Sequence, residues 1–507
     1  MLSHAVALLA PAFLFFILLA GAALWAERLK RRGGAEASGS SFAAEYFLGS
    51  RSLQGVVLAM SLIATYGSVS SFVSGPGVAW QLGLGWVVFA SPQIITGFFI
   101  LGVIGKKIAL VSRRTGSITV VDLIRARFES PLLANLCAVA LLVFFTAMMM
   151  GQFVGGAAIF AGAAGIDPVA GLALFGLLVV FYTAFGGYRA VAWTDAVCAV
   201  LMLAGMAMLG ASILESAGGL EAAMAKAAAA GLPAPDAPLS ASTALSPTAG
   251  GALPLSLLFS AWILVGFGTA GLPQSAVRCM SYRTTKDLHL AMVVSTIVCG
   301  ILMIGLTTLG VLARGVEGLS PGGSTDLLIP KLIGEHMPSW AAGITLVGPL
   351  AATMSTVSSL LIAASSAIVK DLLLSAKPEL AGNERALRRI SRGATLLLGL
   401  LAMAFAVNPP TIVAWINLAA FGGLELAFLL PLAFGLFWRR ANAAGAIASV
   451  IGGLAVYFWL TIAKLPLMGF PPVVPAFAAA ALLFILGAYV GKPSSSRAML
   501  DFFGGER

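Results

Sequence analysis

Charged side chains are scarce in this chain of 507 residues: they make up 10% of it, whereas hydrophobic residues make up 59%. Soluble globular domains carry about 25% charged residues, so the composition excludes that class. Cysteine and histidine are also rare, with four and three copies. Each cysteine stands alone in or beside an apolar segment, and the histidines lie far apart in the sequence. The pattern therefore offers no disulfide framework and no metal or catalytic cluster.

Long apolar runs recur from end to end instead. A run of about 20 residues is long enough to cross a hydrocarbon core of about 30 Å as a helix. The sequence therefore predicts an all-α membrane protein with about 13 transmembrane helices, forming a single transmembrane transporter domain over residues 1–507. We number the predicted spans 1 to 13 in this order: 4–26, 55–80, 84–105, 132–162, 168–186, 196–216, 254–277, 289–313, 339–369, 394–408, 411–438, 441–463 and 472–490.

The net charge of +10 is explained by membrane topology. With the N-terminus outside, all but four of the 30 Lys and Arg residues fall in cytoplasmic segments. The four on the outer side are Lys226, Arg314, Lys331 and Lys464. Because cytoplasmic loops carry an excess of Lys and Arg, this asymmetry predicts an outside N-terminus and a cytoplasmic C-terminus. It also removes the reason to expect a nucleic-acid partner; the partner expected is the lipid bilayer.

Span 2 has features that a plain membrane anchor does not need. It is uncharged, yet it contains six Ser and Thr residues, Gly67 and the triplet Gly75-Pro76-Gly77. Each hydroxyl group costs free energy in lipid unless it is hydrogen-bonded. A helix that breaks in mid-membrane usually lines a polar cavity, where freed carbonyl groups can bind an ion or a solute. Span 2 therefore favours a transporter.

Span 7 carries a second interruption, from Gly266 to Gly271 and then Pro273. It lies five spans after span 2, so the two broken helices cross the membrane in opposite directions. Such a pair is typical of an inverted repeat with a binding site near the midplane. We predict one repeat at about 55–216 and the other at about 254–438, with flanking helices at 4–26, 441–463 and 472–490.

Span 9 offers ligands for a cation. Ala352, Ser355 and Thr356 are spaced i, i+3 and i+4, so they share one helical face. Their oxygens suit Na⁺, because neutral oxygens replace its hydration shell without trapping it. The alternative is that these small residues let two helices pack closely.

Four motifs carry a resemblance to a known family. They are Tyr46-Phe47-Leu48-Gly49-Ser50-Arg51-Ser52-Leu53, Tyr182-Thr183-Ala184-Phe185-Gly186-Gly187, Ala192-Trp193-Thr194-Asp195 and Met354-Ser355-Thr356. The chain resembles the sodium:solute symporter family from about Glu45 to about Tyr489. The resemblance implies a five-plus-five inverted-repeat (LeuT-like) core, a location in the bacterial inner membrane, and alternating access in which spans 2, 3, 7 and 8 move as a bundle. It also implies Na⁺ as the coupling ion, with no other cofactor and no enzymatic activity.

The resemblance further implies a sodium site made of backbone carbonyls and hydroxyls. Its members would be the carbonyls of Ala64, Gly67 and Ala352 and the hydroxyls of Ser355 and Thr356. Two positions depart from the family. Tyr66 stands where some relatives have Asp, and Cys198 stands where many have Gln. The Tyr66 departure puts further ion sites in doubt.

Within the family, the resemblance is greatest to members that carry pantothenate. It is carried by Ala64-Thr65-Tyr66, Gly271-Leu272-Pro273 and the segment Ala420–Glu425. Uptake of this small organic solute is the expectation, and a monocarboxylate or proline is the alternative. The candidate contacts are Ser68, Ser71, Gln152, Trp262 and Phe267. Gln152 could instead form an interhelical hydrogen bond, and the two aromatic residues could face lipid or the core.

Glu425 is a carboxylic acid deep within span 11, which makes it a functional candidate by default. It could equally be a buried structural group. A membrane-embedded enzyme would need an acid–base pair, which Glu425 alone does not form. A cation channel would use similar ion-lining oxygens, and saturable sodium-dependent uptake would distinguish a transporter from it. The sequence leaves the oligomeric state open.

Overall fold

The structure, a computed structural model, describes residues 7–18, 21, 42–229, 244–465, 467 and 469–504. Apart from isolated bridges such as Leu53 with Tyr282, the regular structure of these residues is helical. We label the helices α1 to α20 in chain order. They are α1 Ala7–Leu18, α2 Phe42–Leu48, α3 Gly55–Tyr66, α4 Ser70–Leu82, α5 Leu84–Thr115, α6 Val120–Phe128, α7 Pro131–Ala164, α8 Pro168–Tyr188, α9 Val191–Ala217, α10 Leu220–Ala229, α11 Leu255–Gly271, α12 Pro273–Ser281, α13 Thr285–Gly315, α14 Leu328–His336, α15 Ser339–Ala376, α16 Glu384–Ala406, α17 Val413–Phe437, α18 Ala443–Ala463, α19 Val473–Val490 and α20 Ser496–Phe503.

Ten of these helices are long and apolar enough to cross a membrane singly. Two further spans are bent pairs: α3 with α4 at 62°, and α11 with α12 at 43°. The all-α membrane fold is confirmed, and the two bends fall in spans 2 and 7. The predicted number of thirteen is not confirmed. Span 1 is represented by α1, whose 12 residues rise only about 18 Å. Apart from residue 21, the rest of residues 4–26 lies outside the described residues.

Local sequence sets the helix ends. Helix α7 begins at Pro131, where the hydroxyl of Ser130 accepts a hydrogen bond from the Leu133 amide at 3.3 Å. Ser is a preferred N-cap and proline fits the first helical position. The same helix ends at Gly165, whose φ of 64° lies in the left-handed region. Gly187 has a φ of 70° and separates α8 from α9, a conformation that glycine adopts without strain.

Helices α15 and α17 form the centre of the molecule. Buried residues fill 72% of the most apolar window of α15 and 78% of that of α17, against 33% for α18 and 28% for α19. Helix α15 packs against α3, α7 and α9, and α17 packs against α7 and the end of α11. The two central helices therefore meet both bent pairs. The predicted repeats cover α3–α9 and α11–α17, and their inverted relation stays a prediction.

Candidate functional site

The bend between α3 and α4 frees two backbone carbonyls. Gly67 follows α3 with extended backbone angles, φ −69° and ψ 111°. In a continuous helix the Ser68 and Val69 amides would bond to the carbonyls of Ala64 and Thr65. Here the Ser68 amide donates to the Ser71 hydroxyl at 3.4 Å, and the Val69 amide donates to Gln152 Oε1 at 3.1 Å. The two carbonyls are left for other partners.

Hydroxyl groups of α15 lie against these freed carbonyls. The Ser355 hydroxyl donates to the Ala64 oxygen at 2.8 Å and lies 3.1 Å from the Ala352 oxygen. The Thr356 hydroxyl lies 3.0 Å from the Ala352 oxygen and 3.4 Å from the Gly67 oxygen. All five predicted groups thus meet in one buried cluster of neutral oxygens. We call it the oxygen cluster.

One oxygen of this cluster escaped sequence reasoning. The Thr65 carbonyl lies 3.4 Å from the Thr356 hydroxyl, the same distance as the Gly67 carbonyl. Nothing in the sequence distinguishes which carbonyls beside Gly67 turn towards α15. The backbone angles of Gly67 decide this, and the contact with Gln152 helps to hold them.

A cavity lies beside the bend. Ser68 and Ser71, two of the predicted solute contacts, line it. Its other walls are largely apolar and aromatic, including Trp86, Phe89 and Phe421. A mostly apolar lining with a few polar side chains is typical of small-molecule sites. Among the described lining residues, none carries a charge.

A smaller cavity lies next to it. It shares Tyr66, Ser68, Asn417 and Phe421 with the larger cavity. Its lining also includes Thr356, a member of the oxygen cluster. A molecule in the cavities would therefore lie next to the oxygen cluster.

Three other predicted contacts lie elsewhere. Gln152 is fully buried, and it bonds to the Val69 amide instead of lining either cavity. Trp262 is 45% exposed, and the Phe267 ring lies 6.4 Å from that of Phe99. Neither aromatic residue is among the described residues that line the cavities. Of the predicted contacts, Ser68 and Ser71 therefore line the cavities and the other three do not, and the solute-binding role of all five stays a prediction.

Three amide side chains that sequence reasoning missed do line the cavities: Gln93, Gln274 and Asn417. Asn417 donates its Nδ2 to the Ser70 hydroxyl, and its Oδ1 is buried without a hydrogen-bond partner. Gln274 lines the smaller cavity, and its Oε1 is likewise buried and unpaired. Buried polar atoms are usually hydrogen-bonded, so two unpaired acceptors at one cavity indicate a place for a donor. The only signal in the sequence was an amide inside an apolar span.

The two bends are tied together by Tyr66. Its hydroxyl donates to the Val265 carbonyl at 3.0 Å. Val265 belongs to the π-helical turn Trp262–Gly266 of α11, and Tyr66 is the last residue of α3. The tyrosine at this position therefore bonds to the other broken helix. An aspartate, which some relatives have here, would introduce a negative charge instead.

A buried ion pair contacts α3 near the oxygen cluster. Arg278 Nη2 of α12 lies 3.0 Å from Asp195 Oδ2 of α9. The Ser359 hydroxyl of α15 and the Ser61 hydroxyl of α3 donate to the same carboxylate at 3.3 Å and 3.1 Å. The pair and its hydroxyl partners join four helices. Thr65, one turn after Ser61 on α3, also bonds to both members of the pair.

The chain also matches a known protein family. The model of the sodium:solute symporter family matches residues 46–453. The chain belongs to this family. It is therefore a multi-pass membrane transporter and not an enzyme, with Na⁺ as its coupling ion. The family predicted from the motifs is confirmed.

Curated relatives are similar over nearly the full length. The chain is 41% identical to the sodium/pantothenate symporter of Escherichia coli (strain K12) over 95% of this chain and 96% of that protein. It is also 41% identical to the sodium/pantothenate symporter of Haemophilus influenzae, with the same coverage of both chains. Among solved structures, a substrate-bound, outward-open Na⁺-coupled sialic acid symporter matches with a TM-score of 0.76 at 18% identity, covering 96% of this chain and 99% of that one. The structural match confirms the fold.

Proposed function

We propose that this chain takes up pantothenate together with Na⁺ by alternating access. The observation that carries the proposal is the oxygen cluster, which joins a bent helix to α15 and borders a polar-lined cavity. Support for the solute comes from the two full-length relatives, both sodium/pantothenate symporters.

The proposed sodium ligands are the carbonyls of Ala64, Gly67 and Ala352 and the hydroxyls of Ser355 and Thr356. These oxygens are neutral and already lie 2.8–3.4 Å from one another in the contacts given above. A hydroxyl that now donates to a carbonyl can rotate and present its lone pairs to a cation. Such a site binds Na⁺ without holding it too tightly for release on each cycle.

The proposed solute site is the pair of cavities. Pantothenate carries hydroxyl and amide N–H donors, which suit the unpaired acceptors Asn417 Oδ1 and Gln274 Oε1. Ser68 and Ser71 would supply further hydrogen bonds. The described lining residues hold no cation for the carboxylate of the solute. The nearby Na⁺ would then supply the missing positive charge, which is a physical reason for coupling solute to ion.

The proposed cycle moves the bundle of spans 2, 3, 7 and 8 against the rest of the molecule around this site. Both bent spans belong to the bundle, and both contact α17 or α15 outside it. We place the chain in the bacterial inner membrane with the N-terminus outside and the C-terminus in the cytoplasm, on the distribution of Lys and Arg.

The test is uptake of labelled pantothenate into proteoliposomes with and without an inward sodium gradient. A tenfold gradient of one Na⁺ stores about 1.4 kcal/mol and sustains about tenfold accumulation of solute. Protein-free vesicles, and vesicles with choline in place of Na⁺, are the controls. Saturable accumulation only with the gradient is expected.

Other results would separate the alternatives. Sodium-driven uptake of proline or a monocarboxylate, with no pantothenate uptake, would keep the mechanism and reject the solute. Sodium flux that does not saturate and moves no solute uphill would indicate a channel.

A further inference from the structure

Glu425 is a carboxylic acid with no visible partner at the centre of the molecule. It lies midway along α17, Val413–Phe437, and its side chain is fully buried. Neither of its carboxylate oxygens has a hydrogen-bond partner among the described residues. Burying an ionised carboxylate without a partner costs several kcal/mol or more, whereas a neutral carboxyl costs far less. The surroundings therefore require Glu425 to hold a proton in this conformation.

The position of Glu425 links it to the solute cavity. Ala414, Leu418 and Phe421 line that cavity from α17. Glu425 follows Phe421 by one helical turn, so it continues the same stripe of the helix. It therefore lies just beyond the cavity, at the level of the bend in span 7.

The carboxyl rests directly on the bent segment of α11. A Cβ built on Gly268 would lie 2.8 Å from Glu425 Cδ and from Glu425 Oε2, and it would overlap the Ile263 carbonyl. One turn further along α17, Leu429 lies equally close to Gly271, with Cβ atoms that would be 2.5 Å apart. Because these two glycines have no side chains, the backbone of the bent segment can pack directly against α17.

The titratable groups facing Glu425 do not compensate a negative charge. They are Tyr66 of α3 and Tyr457 of α18. Both are neutral donors that are already used: Tyr66 donates to the Val265 carbonyl at 3.0 Å, and Tyr457 donates to the Ala419 carbonyl at 2.9 Å. In the described part of the chain, no Lys or Arg forms an ion pair with Glu425.

The contact between Glu425 and Gly268 must break during the proposed cycle, because it joins the moving bundle to the rest of the molecule. Gly268 lies on span 7, in the moving bundle, and Glu425 lies on α17, outside it. We infer that Glu425 binds a proton when α17 and the span 7 bend are in contact and releases it when they part and water enters. This inference rests on the alternating access proposed above. It adds a proton-binding site to a sodium-coupled transporter and makes the closing of this contact depend on pH.

The main experiment compares wild-type protein with Glu425→Gln in proteoliposomes, at equal pH on both sides. Saturating Na⁺ and pantothenate are used throughout. Closing the contact needs one proton, so wild-type uptake should fall as the pH rises, by up to about tenfold per pH unit at the alkaline limit. The Gln side chain imitates the neutral carboxyl and cannot ionise, so uptake by this variant should not vary with pH in the same range.

Two variants serve as comparisons. Glu425→Asp keeps an ionisable group and should keep the pH dependence. Glu335→Gln makes the same chemical change at an exposed position of α14 and should follow the wild-type profile. If Glu425→Gln retains the wild-type pH profile, the inference is wrong.

A second measurement does not depend on the solute. The infrared spectrum of the purified protein should contain the carbonyl stretch of a neutral carboxyl at neutral pH, and Glu425→Gln should lack that band. Absence of any difference would show that Glu425 is ionised and would overturn the inference. Presence of the band without pantothenate uptake would overturn only the proposed solute.

Discussion

At the scale of single residues, the oxygen cluster is the feature that sequence reasoning located best. Ser355 and Thr356 stand out because their spacing places them on one face of span 9, and Gly67 marks where span 2 loses its helical bonds. The structure brings both features within hydrogen-bond distance. Gln152 had two interpretations, a solute contact or an interhelical hydrogen bond. The structure shows a bond of the second kind, in which Gln152 Oε1 accepts from the Val69 amide that the bend leaves free.

Removal of both hydroxyls should separate sodium coupling from folding. We expect Ser355→Ala combined with Thr356→Ala to abolish sodium stimulation of uptake at sodium concentrations that saturate the wild type. A bond from a neutral group to a charge contributes about 1.5–3 kcal/mol, so each lost ligand lowers affinity by about tenfold or more. The measurement is initial uptake rate against sodium concentration.

Ser358→Ala is the matched control for this pair. Ser358 is buried on the same helix, but its hydroxyl donates to the Ser355 carbonyl at 3.1 Å within α15. Its removal should leave sodium dependence unchanged. Unchanged sodium dependence in the double variant, with normal membrane insertion, would move the proposed site elsewhere.

At the scale of helices, the two bent spans are held by contacts that only glycine permits. The bend in span 7 lies on α17 because Gly268 and Gly271 have no side chains. The π-helical turn Trp262–Gly266 adds a residue to one turn of α11. Spacing along the sequence therefore stops indicating which side of the helix faces the cavity. The roles of Trp262 and Phe267 as solute contacts, which the resemblance implies, stay predictions.

Gly268→Ala should test the bend directly. The new methyl group would meet the Glu425 carboxyl at 2.8 Å and overlap a backbone carbonyl. Forcing extra atoms into a packed interior costs about 1–3 kcal/mol, so we expect a lower melting temperature in detergent and reduced uptake.

Gly393→Ala is the comparison, since no atom lies within 4 Å of a Cβ built at this position in α16. The added methyl group should be neutral or slightly stabilising there, because Ala favours helix more than Gly by about 1 kcal/mol. Equal melting temperatures for the two variants would show that the bend accommodates the added methyl group without loss of stability.

At the scale of the whole molecule, one buried ion pair joins the two predicted repeats. Asp195 and Ser61 belong to the first repeat, and Arg278 and Ser359 belong to the second. None of these four residues lines the larger cavity. Thr65, which bonds to both members of the pair, lines the smaller one.

Arg278→Met should destabilise the protein strongly. Removing one partner of a buried ion pair leaves an unpaired charge and costs about 3–5 kcal/mol. The companion change Asp195→Asn in the same chain should recover part of this loss. Arg283→Met is the control, because Arg283 is exposed and its 3.6 Å pair with Asp287 is worth at most about 1 kcal/mol. Thermal unfolding in detergent measures all three, and a similar loss for Arg278→Met and Arg283→Met would contradict a structural role for the buried pair.

The sequence by itself determined the membrane fold, the two bent spans and the shared helical face of Ala352, Ser355 and Thr356 on span 9. Hydrophobic length, glycine and helical spacing are local properties, and a helix in lipid must satisfy its own backbone. Only the tertiary structure showed that Asn417 and Gln274 line the cavities, that Tyr66 ties the two bends together, and that Gln152 holds a backbone amide. It also placed Glu425 on Gly268. These contacts join residues more than 80 positions apart, and the packing of whole helices, which no local pattern encodes, brings them together.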